Sequence, residues 1–127
     1  VDHEDEVYPR LAALGEKTRQ AMQQAFLDEG VYCLCTGGGN GVLPGSSMFM
    51  LHFPYEEGAR PEGPAGWLNP SVCDMPLGHR VLDLALLLED VFVLHSHGAV
   101  STAHTEADID FLGSACRRVA RRIKAYL

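Results

Sequence analysis

Lysine is nearly missing from this chain, with Lys17 and Lys124 its only two. An imine-forming lysine needs a buried pocket that lowers its pKa. Both lysines fall among helical neighbours, so neither reads as such a nucleophile. No apolar run approaches the roughly 20 residues required to cross a bilayer. The acidic start VDHEDEVYP lacks the positive region of a secretory signal. A cytoplasmic setting without membrane attachment is the resulting expectation. Cys33, Cys35, Cys73 and Cys116 show neither CxxC spacing nor a paired finger pattern, so they read as free thiols, with Cys116 on the apolar face of a helix. The GxSxG elbow is absent as well, which removes the main support for a triad built on Ser96 or Ser101. Ten basic residues against seventeen acidic ones give a net charge of −7, which argues against a broad phosphate-binding surface and against nucleic acid as a partner.

What is present is enough apolar material for a core. The 127 residues are 46% hydrophobic and 21% charged, the balance of an ordinary globular chain, and the length suits a single domain over 1–127. From Val7 to Glu29, Val7, Leu11, Leu14, Ala21, Met22, Ala25 and Phe26 recur at helical spacing, and Gly30 follows as a stop signal. Val31 to Cys35 and Ser46 to Phe53 read as strands. The glycine-rich TGGGNGVLPG between them lacks both the GxGxxG spacing and a following Lys-Ser/Thr pair, so it reads as a loop joining two strands rather than a phosphate cradle. Residues 54–76 hold most of the prolines and the lone Trp67 without either period, a long irregular insertion that Trp67 would pin to something apolar. Leu77 to Asp90 is helical by composition and apolar almost all round, so it needs cover on more than one side.

The chain is organised around Val91 to Asp110, VFVLHSHGAVSTAHTEADID. Val91 to His95 and Ala99 to Ala103 read as short strands flanking a His/Ser/Gly loop. Thr105 then fits the N-cap of a last helix, with Asp108 at the third position of a capping box. Ile109, Leu112, Cys116, Val119 and Ile123 share one face of that helix, while Arg117, Arg118, Arg121, Arg122 and Lys124 lie elsewhere as a solvated face near its C-terminus. The order α-β-β-α-β-β-α predicts an α+β fold, a small antiparallel or mixed sheet of three to four strands with helices packed on one face.

His95 and His97 are two apart, so in an extended segment they point the same way, as a metal pair would, with His52 or His104 as a third ligand. Nothing in the sequence fixes that third ligand. The pair is read as lining a pocket or hydrogen-bonded, and no metal is assigned.

STAHTEADID, Ser101 to Asp110, resembles the C-terminal end of the class III, fold type I, pyridoxal-phosphate aminotransferases, especially the glutamate-1-semialdehyde aminomutase branch. YPRLAALGEKTRQAM at Tyr8 to Met22 and GSSMFMLHF at Gly45 to Phe53 are similar to earlier family segments in the same order, as is the helix leading into a strand at Leu84 to Val93. The resemblance implies the small C-terminal domain of such an enzyme, which packs on a large domain of the same polypeptide and helps wall the substrate pocket, within a homodimer. It also implies that pyridoxal phosphate, its lysine and its ring-nitrogen aspartate belong to the large domain. The isolated chain is then expected to be inactive, with no catalytic or cofactor-binding residue of its own, and its start within the approach to the first helix suits a fragment.

The aminomutase branch has a loop resembling S-x-F-E-A, with a gating glutamate, where this chain has His95, Ser96, His97 and Gly98. That departure favours amino transfer with another small-molecule donor and acceptor. Other members hold a substrate carboxylate with an arginine of this domain, and no arginine lies in this loop. His95, Ser96 and His97 are therefore the expected substrate-facing groups. The alternative is a stand-alone ligand-binding module that reuses the small fold without chemistry. A third reading, a histidine-based metal hydrolase, requires stoichiometric metal.

Overall fold

A computed structural model describes residues 3–38 and 45–127. Gly39 to Pro44, most of the glycine-rich loop, lies outside them, and with it the reading of that loop as a strand connection. Helix α1 spans Glu4–Asp28, strand β1 Leu34–Thr36, strand β2 Met48–His52 and short helix α2 Gly63–Trp67. A π-helical turn over Leu77–Val81 continues into α3, Leu82–Leu87, followed by strand β3, His97–Ala99, and helix α4, Glu106–Lys124. The sheet is antiparallel in the order β1-β2-β3. The fold is α+β, as expected, with three strands among the described residues.

The register explains how the layers form. Cys35 pairs with Leu51 and Phe49 with Gly98, while Thr36 pairs with Met50 and Met50 with His97. Because side chains alternate across a pleated strand, Cys35, Leu51 and Phe49 share one face, and Thr36, Met50, His52 and His97 share the other. The first face meets the helices. Met22, Ala25 and Phe26 of α1, Leu82 and Leu86 of α3, and Cys116, Val119, Ala120 and Ile123 of α4 close over Phe49, Leu51 and Phe53 in one core. Gly98 is required here because a Cβ at that position would lie 2.7 Å from the Phe49 ring.

The helix ends follow the sequence closely. At α4 the capping box forms, with the Thr105 N–H and hydroxyl donating to the Asp108 carboxylate at 2.7 and 2.9 Å. The four arginines of α4 are exposed, but they are not simply solvated. Arg117 pairs with Asp28, Arg121 with Glu29, and Arg118 and Arg122 both with Glu89, at 2.5 to 2.9 Å. Lys17 pairs with Glu106.

Two local expectations need correction. Val91 to His95 forms no strand: Leu94 makes one isolated bridge to His97, and the chain reverses at once through His95 and Ser96. Ala99 to Ala103 leaves the sheet after Val100, whose N–H donates to the Ser47 carbonyl. Ser101 to His104 then closes a turn through the His104 N–H and the His104 ring. The irregular 54–76 insertion holds α2 and a bridge between Pro54 and Cys73, and its Ala59 carbonyl accepts from the Tyr32 hydroxyl.

Candidate functional site

The sheet face turned away from the helices carries the polar groups. His52 is buried there, its Nε2 2.8 Å from the Thr36 hydroxyl. Trp67 of α2 covers it, ring centroids 4.4 Å apart, so the tryptophan pins the insertion against an imidazole. Burial pushes the His52 ring down to about 4, and the neighbouring charge of His79 acts in the same direction. The ring is neutral at physiological pH.

Next to it, the connection from α3 into β3, residues 88–96, ends in a two-residue turn. Leu94 and His97 exchange both backbone hydrogen bonds, at 3.0 and 3.1 Å. His95 and Ser96 between them have φ of 51° and 64°, the positive values that a type I′ turn demands of both central residues. Glycine and asparagine usually fill such positions. For other residues this backbone region carries strain, which persists only where the surroundings hold it. Asp83 of α3 supplies the hold: its two carboxylate oxygens accept from the His95 and Ser96 backbone N–H groups at 2.7 and 2.9 Å. The Ser96 carbonyl in turn accepts from the Leu51 N–H at 3.0 Å, tying the turn to the central strand.

The three residues singled out from sequence therefore share one turn, but they face different ways. Ser96 is 1% exposed, and its hydroxyl donates to the His95 carbonyl at 2.6 Å. It is an internal strut of the turn. His95 is exposed and His97 half-buried, with rings 6.5 Å apart and within 24° of parallel. They lie on the same side, through a reverse turn and not through an extended segment.

A third ring joins them that the sequence did not point to. His79, on the π-helical turn, stands edge-on to His95 with centroids 5.8 Å apart. Burial lowers its pKa, and the charges of His95 and His97 lower it further against the opposing pull of Asp83. Neither His79 nor Asp83 is near the turn in sequence. Both sit in a segment whose composition announces only an apolar helix. Among the described residues no group of three His, Cys, Asp or Glu side chains could hold a metal ion, and His52 and His104 do not complete a set with His95 and His97.

The free thiols offer little nucleophilicity. Burial raises Cys33, and it pushes Cys35 and Cys116 up to about 12. A separate groove of about 320 Å³ runs between Val93 and the start of α4, walled by Phe49, Val100, Ile109 and Leu112, and it includes none of the three turn residues. Among the described residues no helix is long and apolar enough to cross a membrane. No protein-family model matches this chain.

Proposed function

We propose that this chain is the small C-terminal domain of a pyridoxal-phosphate-dependent class III aminotransferase, acting in the cytoplasm, in which it packs on the large domain and lends His95 and His97 to the wall of the substrate pocket. The observation that carries the reading is the uncovered side of the α3 segment. Leu82, Ala85 and Leu86 are buried in the core, while Leu84 and Leu88 are 66% and 76% exposed and Phe92 beyond them is 80% exposed. An apolar helix with half its circumference uncovered fits a surface made to be covered by another domain. The likeness of Ser101 to Asp110, and of the segments before it, to that enzyme family supports the identity of the partner.

The residues of this chain do not fit the cofactor itself. Lys17 is paired with Glu106 at the surface, and Lys124 is exposed beside Gly30. Neither has the desolvated pocket that an imine-forming lysine requires. Pyridoxal phosphate, which would serve as the electron sink for amino transfer, would be held by the large domain. This chain's part is to orient the substrate and to exclude water. The parent enzyme would be a homodimer.

The mass and visible spectrum of the protein in its native source test the proposal. The expected result is a product several-fold heavier than 13.9 kDa with an absorbance band that bleaches on borohydride reduction. A colourless native product of 13.9 kDa overturns it and moves the function to ligand binding by a stand-alone module.

A further inference from the structure

We infer that the imidazoles of His79, His95 and His97 form a binding site for a small carboxylate anion. The argument starts from the turn. Asp83 and the Leu51 N–H fix the backbone on either side of the His95 ring, so two of the three rings are mounted on a connection that has little freedom to move. His97 is further oriented by its own backbone contact, since its Nδ1 lies 3.3 Å from the His95 carbonyl oxygen. A carbonyl only accepts, so Nδ1 carries the proton and Nε2 is the acceptor of the neutral ring. With a second proton, Nε2 becomes a donor too.

The spacing suits an acceptor with two oxygens. Ring centroids lie 5.8 Å apart for His79 and His95 and 6.5 Å apart for His95 and His97. A carboxylate accepting one N–H at each oxygen, at about 2.8 Å, bridges rings at that distance without drawing them together. Among the described residues, Asp83 is the carboxylate whose charge acts on His79, and it already accepts two backbone N–H groups with its two oxygens, which leaves the ring donors for an external anion. His52 also faces the cluster, from β2, and is itself held neutral.

Burial lowers the His79 pKa, and the charges of His95 and His97 lower it further, so an anion that accepts from these rings offsets the repulsion at His79. An anion that accepts from an imidazolium favours the protonated ring, so binding is linked to proton uptake and weakens as the pH rises. The inference shares His95 and His97 with the aminotransferase reading, and the idea that the anion is a substrate's carboxylate rests on that reading. Binding of a carboxylate by this chain does not.

The experiment is a titration of the chain with acetate, following histidine ring resonances by NMR at constant ionic strength, at about pH 5.5 and about pH 8. The expected result is a saturable shift of the His79, His95 and His97 resonances at the lower pH, at least about tenfold weaker at the higher one, with His3 and His104 as unmoved internal controls. His95→Gln and His97→Gln each weaken the affinity about tenfold, the second without altering a residue of strained backbone. Absence of saturation at low pH, equal affinity at both, or the same shift with chloride overturns the site. These outcomes are independent of the native mass and spectrum that judge the aminotransferase proposal.

Discussion

Asp83 on α3 and Ser96 in the turn before β3 are joined by a hydrogen bond of 2.9 Å from the Ser96 backbone N–H to the carboxylate, beside the 2.7 Å bond from His95. The pair links the helix with the uncovered apolar face to the turn that presents the histidines. Asp83→Ala removes both bonds and leaves two residues at positive φ without support, so it should destabilise the fold by about 2 kcal/mol in urea unfolding. Ser96→Gly in that background should recover part of the loss, because glycine takes φ of 64° without penalty. Equal stabilities of the single and double variants would show that the turn is not strained.

The exposed leucines of α3 make the opposite prediction. Leu84→Glu with Leu88→Glu should leave unfolding free energy within about 0.5 kcal/mol of the parent chain, as surface changes usually do. The same pair should abolish self-association of the isolated chain, read by sedimentation velocity. A parent chain that sediments as a monomer at high concentration would count against an uncovered docking face.

Stability should fall as pH drops from about 6.5 toward 4, ahead of carboxylate protonation. His52 is depressed to about 4 when folded, and an unfolded histidine titrates near 6.5. Within that window the unfolded chain therefore binds more protons, and stability is lost as the pH falls. His79, also depressed, acts with the same sign. The slope due to His52 is at most about 1.4 kcal/mol per pH unit, less after solvent screening. His52→Gln should flatten the profile between those limits, and an unchanged profile would refute the assignment.

Gly15 lies where α1 meets the segment before β2. A Cβ there would be 1.9 Å from the Ser46 carbonyl oxygen, a backbone atom that cannot rotate away. Gly15→Ala should cost about 3 kcal/mol despite the better helix propensity of alanine. Circular dichroism during thermal unfolding would register a drop in midpoint, whereas a rise would mean that the two segments are not in contact.

The long elements were legible because their signals are local. The period of α1, the capping box at Thr105 and the apolar face Ile109, Cys116, Val119 and Ile123 each lie within a few turns of chain, and the structure keeps them. The site was half legible. Two histidines separated by one residue drew attention to the turn, but its conformation was hidden, since His95-Ser96 carries none of the Asn-Gly chemistry that marks a type I′ turn. The support comes from Asp83, which no local pattern could nominate. The π-helical turn that places His79 was equally silent, as was the stacking of Trp67 on His52 across the sheet.

Helix α1 ends on Asp28 and the C-capping Glu29, with no basic residue in its last turn, which sets negative side chains against the negative end of its own dipole. Arg117 and Arg121 of α4 provide the missing cations. The end of the first helix is thus electrically finished by the last one, and neither reaches its final stability alone. A chain truncated before α4 should fray at the tail of α1, and the domain should unfold in one cooperative step that spans both ends of the sequence.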